Sequence, residues 1–150
     1  MNPSITYLQE DLLLTISNLP LEIKKGKKKD KYSINMNVFM RSHHTEVTKM
    51  RTSYQQLVDN KLYEENQKND GTFKVLFVYY RPNMIARDLS NMCSIVDKFT
   101  MDVLTKKEII PDDNVNYVTS VHYLFGGTKK DEHYIDFYLF KNKENDNYGV

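Results

Sequence analysis

The sequence predicts an α+β fold: a single domain in which a mixed β-sheet packs against two main helices. Three observations predict it. The 150 residues suit one domain and leave little room for a second. Short apolar runs, the longest being Val75–Tyr80, have the length of strands. Two longer segments, Thr45–Leu62 and Leu89–Lys106, carry apolar residues at helical spacing. With 40% hydrophobic and 27% charged residues the chain is neither a disordered tail nor a collagen-like repeat. No apolar run approaches the roughly 18 residues of a membrane span.

The elements follow in order. Met1–Leu14 carries Glu10 and Asp11 but no basic residue, unlike a secretory signal. Leu12–Ser17 is β-prone and reads as a first strand, broken by Asn18-Leu-Pro. A basic loop is expected over 18–32, because Lys24, Lys25, Lys27, Lys28, Lys29 and Lys31 cannot share a buried face. From Ser33 to Met40, Ile34, Met36, Val38 and Met40 alternate with polar positions, the pattern of a half-buried strand. Ser33, Asn35 and Asn37 would then line its polar face. Thr45–Leu62 places Val47, Met50, Tyr54, Leu57 and Leu62 near one helical face. Glu64–Gly71 is a polar connection.

Phe73–Tyr80 is the strongest strand, apolar on both faces and therefore central. A second helix runs from Leu89 to about Lys106, with Asp88 or Ser90 placed to cap it. Pro111-Asp112-Asp113-Asn114 turns the chain. Val115–Phe125 and Tyr134–Phe140 read as a hairpin joined through Gly126-Gly127, and 141–150 as a polar tail.

The net charge of +1 argues weakly against a protein that merely coats nucleic acid. Its distribution carries more, since the lysine run is separated from the acidic Asp112-Asp113. Such patches suit an enzyme acting on a polyanion with a cation at its centre. The single cysteine, Cys93, excludes an internal disulfide and a Cys-rich zinc site, and fits a reducing cytoplasm. It lies near the core and is not expected to be a nucleophile.

The chemistry-bearing region is Arg87–Asn114. On a helical wheel Met92, Ile95, Val96, Phe99 and Val103 form the buried stripe, while Asn91, Lys98 and Asp102 line one flank. Asp97 projects to the opposite side. Asp88 heads the helix, and Asp112 and Asp113 follow it. Magnesium prefers oxygen ligands, usually one or two carboxylates with water and phosphate, and activates water against a phosphodiester. A nearby lysine can stabilise the charge that develops. Each part also has an ordinary structural role: a cap, a turn, an i,i+4 ion pair. Sequence alone does not bring Asp88 to Asp113. His43-His44 point in different directions and read as phosphate contact or surface capping rather than a metal pair.

The stretches Arg87-Asp88-Leu89-Ser90-Asn91, the helix with Lys98 and Asp102, and Ile109-Ile110-Pro111-Asp112-Asp113 resemble the RusA-type Holliday junction resolvases. The variant found in phages and prophages of Gram-positive bacteria is the most similar. Tyr32-Ser33-Ile34-Asn35-Met36-Asn37 with His43-His44, and Phe125-Gly126-Gly127-Thr128-Lys129-Lys130, match it too.

The resemblance implies a RusA-like fold and a homodimeric, magnesium-dependent endonuclease, with manganese as an alternative metal. Its substrate would be branched DNA with a four-way junction, in the host cytoplasm if phage-encoded. Asp88 and Asp113 match the family's acidic ligands and Lys98 its essential lysine, if about one extra helical turn is allowed. Asn91 and the lysine loop would contact DNA. Ser90 departs from the pattern, because family members commonly place a carboxylate there. Asp102 or Asp112 would compensate as further metal ligands. Alternatively, the protein is a catalytically impaired DNA-binding module or, more remotely, a phage interaction protein.

Overall fold

A computed structural model describes residues 11–27 and 29–143. In chain order they form β1 (Leu12–Pro20), β2 (Glu22–Lys24), β3 (Lys31–Ser33), α1 (Met36–Arg41), α2 (His44–Lys61), β4 (Phe73–Arg81), α3 (Leu89–Lys106), β5 (Val118–Thr128) and β6 (Tyr134–Lys141). The architecture is mixed α+β, with a four-stranded sheet in the order β1-β6-β4-β5 and a separate β2-β3 pair.

β4 is central, as its two-sided apolar pattern requires. It pairs parallel with β5 and antiparallel with β6. Phe73, Val75, Phe77 and Tyr79 point into the main core, where they meet Met92, Val96 and Phe99 of α3 and Tyr54 of α2. Leu76 and Val78 point the other way, into a smaller cluster with Phe140. Helices therefore cover one face of the sheet. α3 is the β4-to-β5 crossover, since parallel neighbours need a connection of a dozen residues or more. It runs antiparallel to both strands. α2 lies beside it and advances in the same direction: Arg51 sits over Phe99, Gln55 reaches Asp102, and Asp59 meets Lys107.

Four expectations change. Ser33–Met40 is not a strand: β3 ends at Ser33 and α1 begins at Met36. Asn35 decides this, because its Oδ1 accepts the amide of Val38 at 2.9 Å and starts the helix. The alternation was an accident of a six-residue helix whose Met40 is 72% exposed. Residues 18–32 are not one loop either. β1 runs on to Pro20 through a bulge at Asn18 (φ 59°), whose amide is held by Asp136 Oδ1. Lys24 and Lys31 then face each other across the β2-β3 pair.

The last two strands are not a hairpin. β4 lies between β5 and β6, so the chain passes over the end of β4, where Lys129 and Asp131 bond the carbonyls of Arg81 and Pro82. Gly126 and Gly127 belong to β5 rather than to a turn. Of the expected polar tail, Lys141 completes β6. Asn142 is anchored to Thr72 and Thr119, and 144–150 lie outside the described residues.

Gly126 has a packing reason. An added Cβ would stand 2.6 Å from the Tyr80 ring and 2.7 Å from Val78 Cγ1. Tyr80 is itself stacked on Tyr134 at 4.8 Å and cannot simply retreat. Gly126→Ala should therefore destabilise the fold by about 1–3 kcal/mol. A thermal melt would show this as a Tm lowered by about 2–4 °C per kcal/mol. An unchanged melt would mean that the Tyr80–Tyr134 pair shifts freely.

Candidate functional site

The C-terminal half of α3 carries Lys98 and Asp102 at i,i+4, so both project to the side facing α2. After α3, Ile109 and Ile110 are buried and pin the chain, which brings the following Pro-Asp-Asp turn back beside the helix. Lys98, Asp102, Asp112 and Asp113 thereby line one open cleft of about 470 Å³, together with Arg51, Gln55, Thr105 and Lys106. The wheel placed Lys98 and Asp102 on this flank. The meeting with Asp112-Asp113 depends on the tertiary turn.

The carboxylates differ in how far they are committed. Asp112 is tied into its turn: Oδ1 accepts the Asp113 amide at 2.7 Å and Oδ2 the Asn114 side-chain amide at 3.0 Å. Asp102 is half-buried and accepts from Gln55 Nε2 at 3.3 Å. Asp113 is exposed. Partial desolvation, then a shared hydrogen bond and the charge of Asp112, hold its carboxyl above the usual value, with Asp102 adding to the effect. Lys98 stands with its Nζ 5.6 Å from the centre of the Phe39 ring.

Asp97, on the opposite side of the helix from the Lys98–Asp102 flank, has a partner that the sequence does not signal. It is half-buried, and Tyr123 Oη of β5 donates to its Oδ2 at 2.6 Å. Burial raises its proton affinity against that bond, and the charges of Asp113 and Asp102 add to the rise. Only the pairing of β5 beside β4 brings Tyr123 there, so no local pattern signals it. Arg51 and Lys106 also escaped notice, because surface cations on a helix have no spacing signature. Cys93 is fully buried, and its thiol is pushed up to about 12 by burial and then by Asp97, as an inert core residue.

Asp88 lies elsewhere. It occupies the N-cap of α3 with extended backbone, is exposed, and makes no side-chain capping bond. The nearest α3 residue of the cleft is Lys98, about 15 Å further along the axis at 1.5 Å per residue. Carboxylates sharing one magnesium must bring oxygens within about 4 Å of each other, given ligand distances of about 2 Å. Within one chain, Asp88 and Asp113 do not share an ion.

The remaining expected contacts are dispersed. Asn91 Oδ1 accepts the amide of Asn37 at 2.9 Å, so Asn91 and Asn35 both cap the start of α1. With α1 in place of a strand, Ser33, Asn35 and Asn37 share no polar strand face. Lys24, Lys25, Lys27, Lys29 and Lys31 ride on the β2-β3 hairpin, and Lys28 lies outside the described residues. Lys31 approaches Glu22 at 3.8 Å and Lys25 covers the Tyr32 ring at 5.0 Å; Lys24, Lys27 and Lys29 are exposed. His43 caps α2 through Nδ1, the surface capping role expected of it, but the two histidines do not diverge: their ring centres lie 4.5 Å apart, because His44 opens the helix that His43 caps.

The donors in the cleft are hard oxygens and fit magnesium in kind. In number they fall short of a closed site: among the described residues no group of three or more His, Cys, Asp or Glu is arranged to hold an ion. Asp102 and Asp113 are the available pair, with Lys98 beside them. No family model and no curated protein matches this sequence. Among the described residues no helix is long and apolar enough to cross a membrane.

The raised carboxyl of Asp113 has a stability consequence. A group that binds its proton more tightly when folded favours the native state at low pH. That contribution is lost as pH rises from the unfolded value through the folded one. Asp113→Asn should thus melt at least as high as the unsubstituted protein at pH 7. The difference should vanish below about pH 3, where both carboxyls are protonated. A melt series over pH checks this, and a variant less stable at neutral pH would show that Asp113 is held by attraction instead.

Proposed function

We propose that this protein is a metal-dependent endodeoxyribonuclease of branched DNA that acts as a homodimer, with its catalytic groups at the two ends of α3. The observation that carries the reading is the cleft in which Lys98 stands among Asp102, Asp112 and Asp113. The resemblance of Asp88 and Asp113 to RusA-type acidic ligands supports it, with Lys98 matching the essential lysine if about one extra helical turn is allowed. Magnesium held there would polarise a phosphodiester and ease ionisation of the attacking water. Lys98 would offset charge on the phosphate, and the proton of that water would pass to solvent or to a carboxylate outside the metal's ligands.

The separation within one chain gives the dimer a chemical purpose. A twofold axis across α3 sets two copies of the helix antiparallel, with the N-terminus of one beside the C-terminal turn of its partner. Asp88 of one copy would then complete the Asp102-Asp113 pair of the other. The two resulting sites suit paired nicks on opposed strands. The exposed lysines of the β2-β3 hairpin would add salt-sensitive contacts to phosphates.

A second reading rests on Ser90, exposed in the first turn of α3 beside Asp88, where a hydroxyl stands in place of a family carboxylate. It makes the protein a junction-binding module with little or no cleavage. A large gain of nicking in Ser90→Asp would favour it.

Mixing two inactive variants tests the shared site. Asp88→Asn and Asp113→Asn should each abolish nicking of a synthetic four-way junction with magnesium. Co-refolded in equal amounts, they should recover about a quarter of the normal rate, since half the dimers are mixed and each holds one intact site of two. Wild-type protein without nicking at low salt would sink the nuclease reading. Individually inactive variants that stay inactive when mixed would place each site within one chain.

A further inference from the structure

At the Asp88 end of α3 lies a second recess of about 230 Å³, lined by Tyr79, Arg81, Ala86, Arg87, Leu89 and Phe125. Most of its wall is carbon, yet two guanidiniums border it. Arg81 lies over the Phe125 ring at 5.0 Å, with Nε donating to Thr128 Oγ1 at 2.8 Å and Nη2 facing Met84 Sδ at 3.4 Å. Arg87 Nη1 donates to Asn83 Oδ1 at 3.0 Å and to the Ile85 carbonyl at 3.2 Å. These acceptors are all uncharged, so the bonds fix both cations without cancelling them. Behind them Tyr79 Oη meets His133 Nε2 at 2.8 Å. The imidazole there is held below its ordinary value by burial and then by the charge of Arg87.

We propose that this recess takes one unstacked nucleobase of single-stranded DNA, stacked against the Arg81–Phe125 wall, with Arg87 on the adjacent phosphate. Four features converge on that occupant. The volume admits one flat heterocycle and not a base pair. An aromatic ring and a guanidinium plane both present faces on which any base stacks. Two guanidiniums against the one carboxylate of Asp88 leave this end of α3 net positive, complementary to a phosphodiester. Phe125 is 43% exposed and so is reachable from solvent. A second copy of the chain is the less favourable occupant of the recess itself: the axis proposed above crosses the middle of α3, and a twofold axis through this patch would set Arg81 and Arg87 against their own images.

The proposal rests on the branched-DNA reading only for where an unstacked base would come from. Its test therefore uses neither junction nor metal. The probes are an eight-nucleotide thymidine strand and an abasic strand of equal length and charge, titrated in EDTA. Phe125→Ala should weaken binding of the thymidine strand about tenfold and leave the abasic strand unchanged. Phe125→Tyr should bind like the unsubstituted protein, and Phe125→Leu, which keeps apolar bulk without a ring face, like the alanine variant.

Any one of four results would overturn the proposal: no binding of the thymidine strand by the wild type, equal thymidine affinity in Phe125→Ala, equal losses on both strands, or a shift to a smaller species in sedimentation. The last would give the recess to a second copy. Junction nicking is measured separately with magnesium, so either idea can fail alone.

Discussion

Helix α3 behaves as a rigid spacer, and most of the molecule's functional geometry follows from its length. Eighteen residues at 1.5 Å each span about 27 Å. As the crossover between two parallel neighbours it must traverse the sheet from end to end. Nine of its residues are buried, so it can neither bend nor slide without exposing core. The chain before α3 is thus fixed at one edge of the sheet face, and the chain after it at the other. Two groups of polar residues that look adjacent in a motif become two separate stations. One holds Asp88 with Arg81 and Arg87 near the end of β4. The other holds Lys98, Asp102, Asp112 and Asp113 near the start of β5.

The second station is close to electrically balanced. Asp102, Asp112 and Asp113 share the cleft with Arg51, Lys98 and Lys106. Three carboxylates drawn together without cations would repel; desolvation first, and then Asp112 and Asp102, hold the Asp113 carboxyl above its usual value. The flanking cations lower the cost of assembling the cluster before anything binds. They also set a condition on any metal: it must compete with ammonium and guanidinium groups already present, which favours weak, exchangeable binding. A loosely held ion is compatible with turnover on a bulky substrate that carries its own phosphate ligands.

How much of this was legible in the sequence divides along one physical line. Element type is encoded locally, and α3 is legible to its residue limits because Met92, Ile95, Val96, Phe99 and Val103 recur at helical spacing. β4 was read as central because both of its faces are apolar. Partner choice is not local. Val118–Thr128 and Tyr134–Lys141 have the composition of a hairpin, but β4, nearly forty residues earlier, separates them. Where the local signal itself erred, at Ser33–Met40, four alternating apolar residues outweighed one capping asparagine. The lysine run was rightly placed on the surface, though as a hairpin. Lys98 and Asp102 were paired by i,i+4 arithmetic alone, whereas Asp97 needed knowledge of where β5 would deliver Tyr123.

Asp88 shows how stability and a possible site interact at one residue. It stands at the N-cap with the extended backbone of a capping residue, where a side-chain bond to the first-turn amides is worth about 1 kcal/mol. Its carboxylate does not make that bond. The helix tolerates the loss because its hold on the sheet comes from Met92, Val96, Phe99 and their neighbours, not from its first turn. The dipole still favours a negative charge at this end, so Asp88 remains electrostatically settled while its oxygens stay free. Asn91, one turn on, spends its oxygen on α1 instead of its own helix. Both side chains at the head of α3 are thus directed away from capping their own helix, which leaves that end of the helix open to whatever binds there.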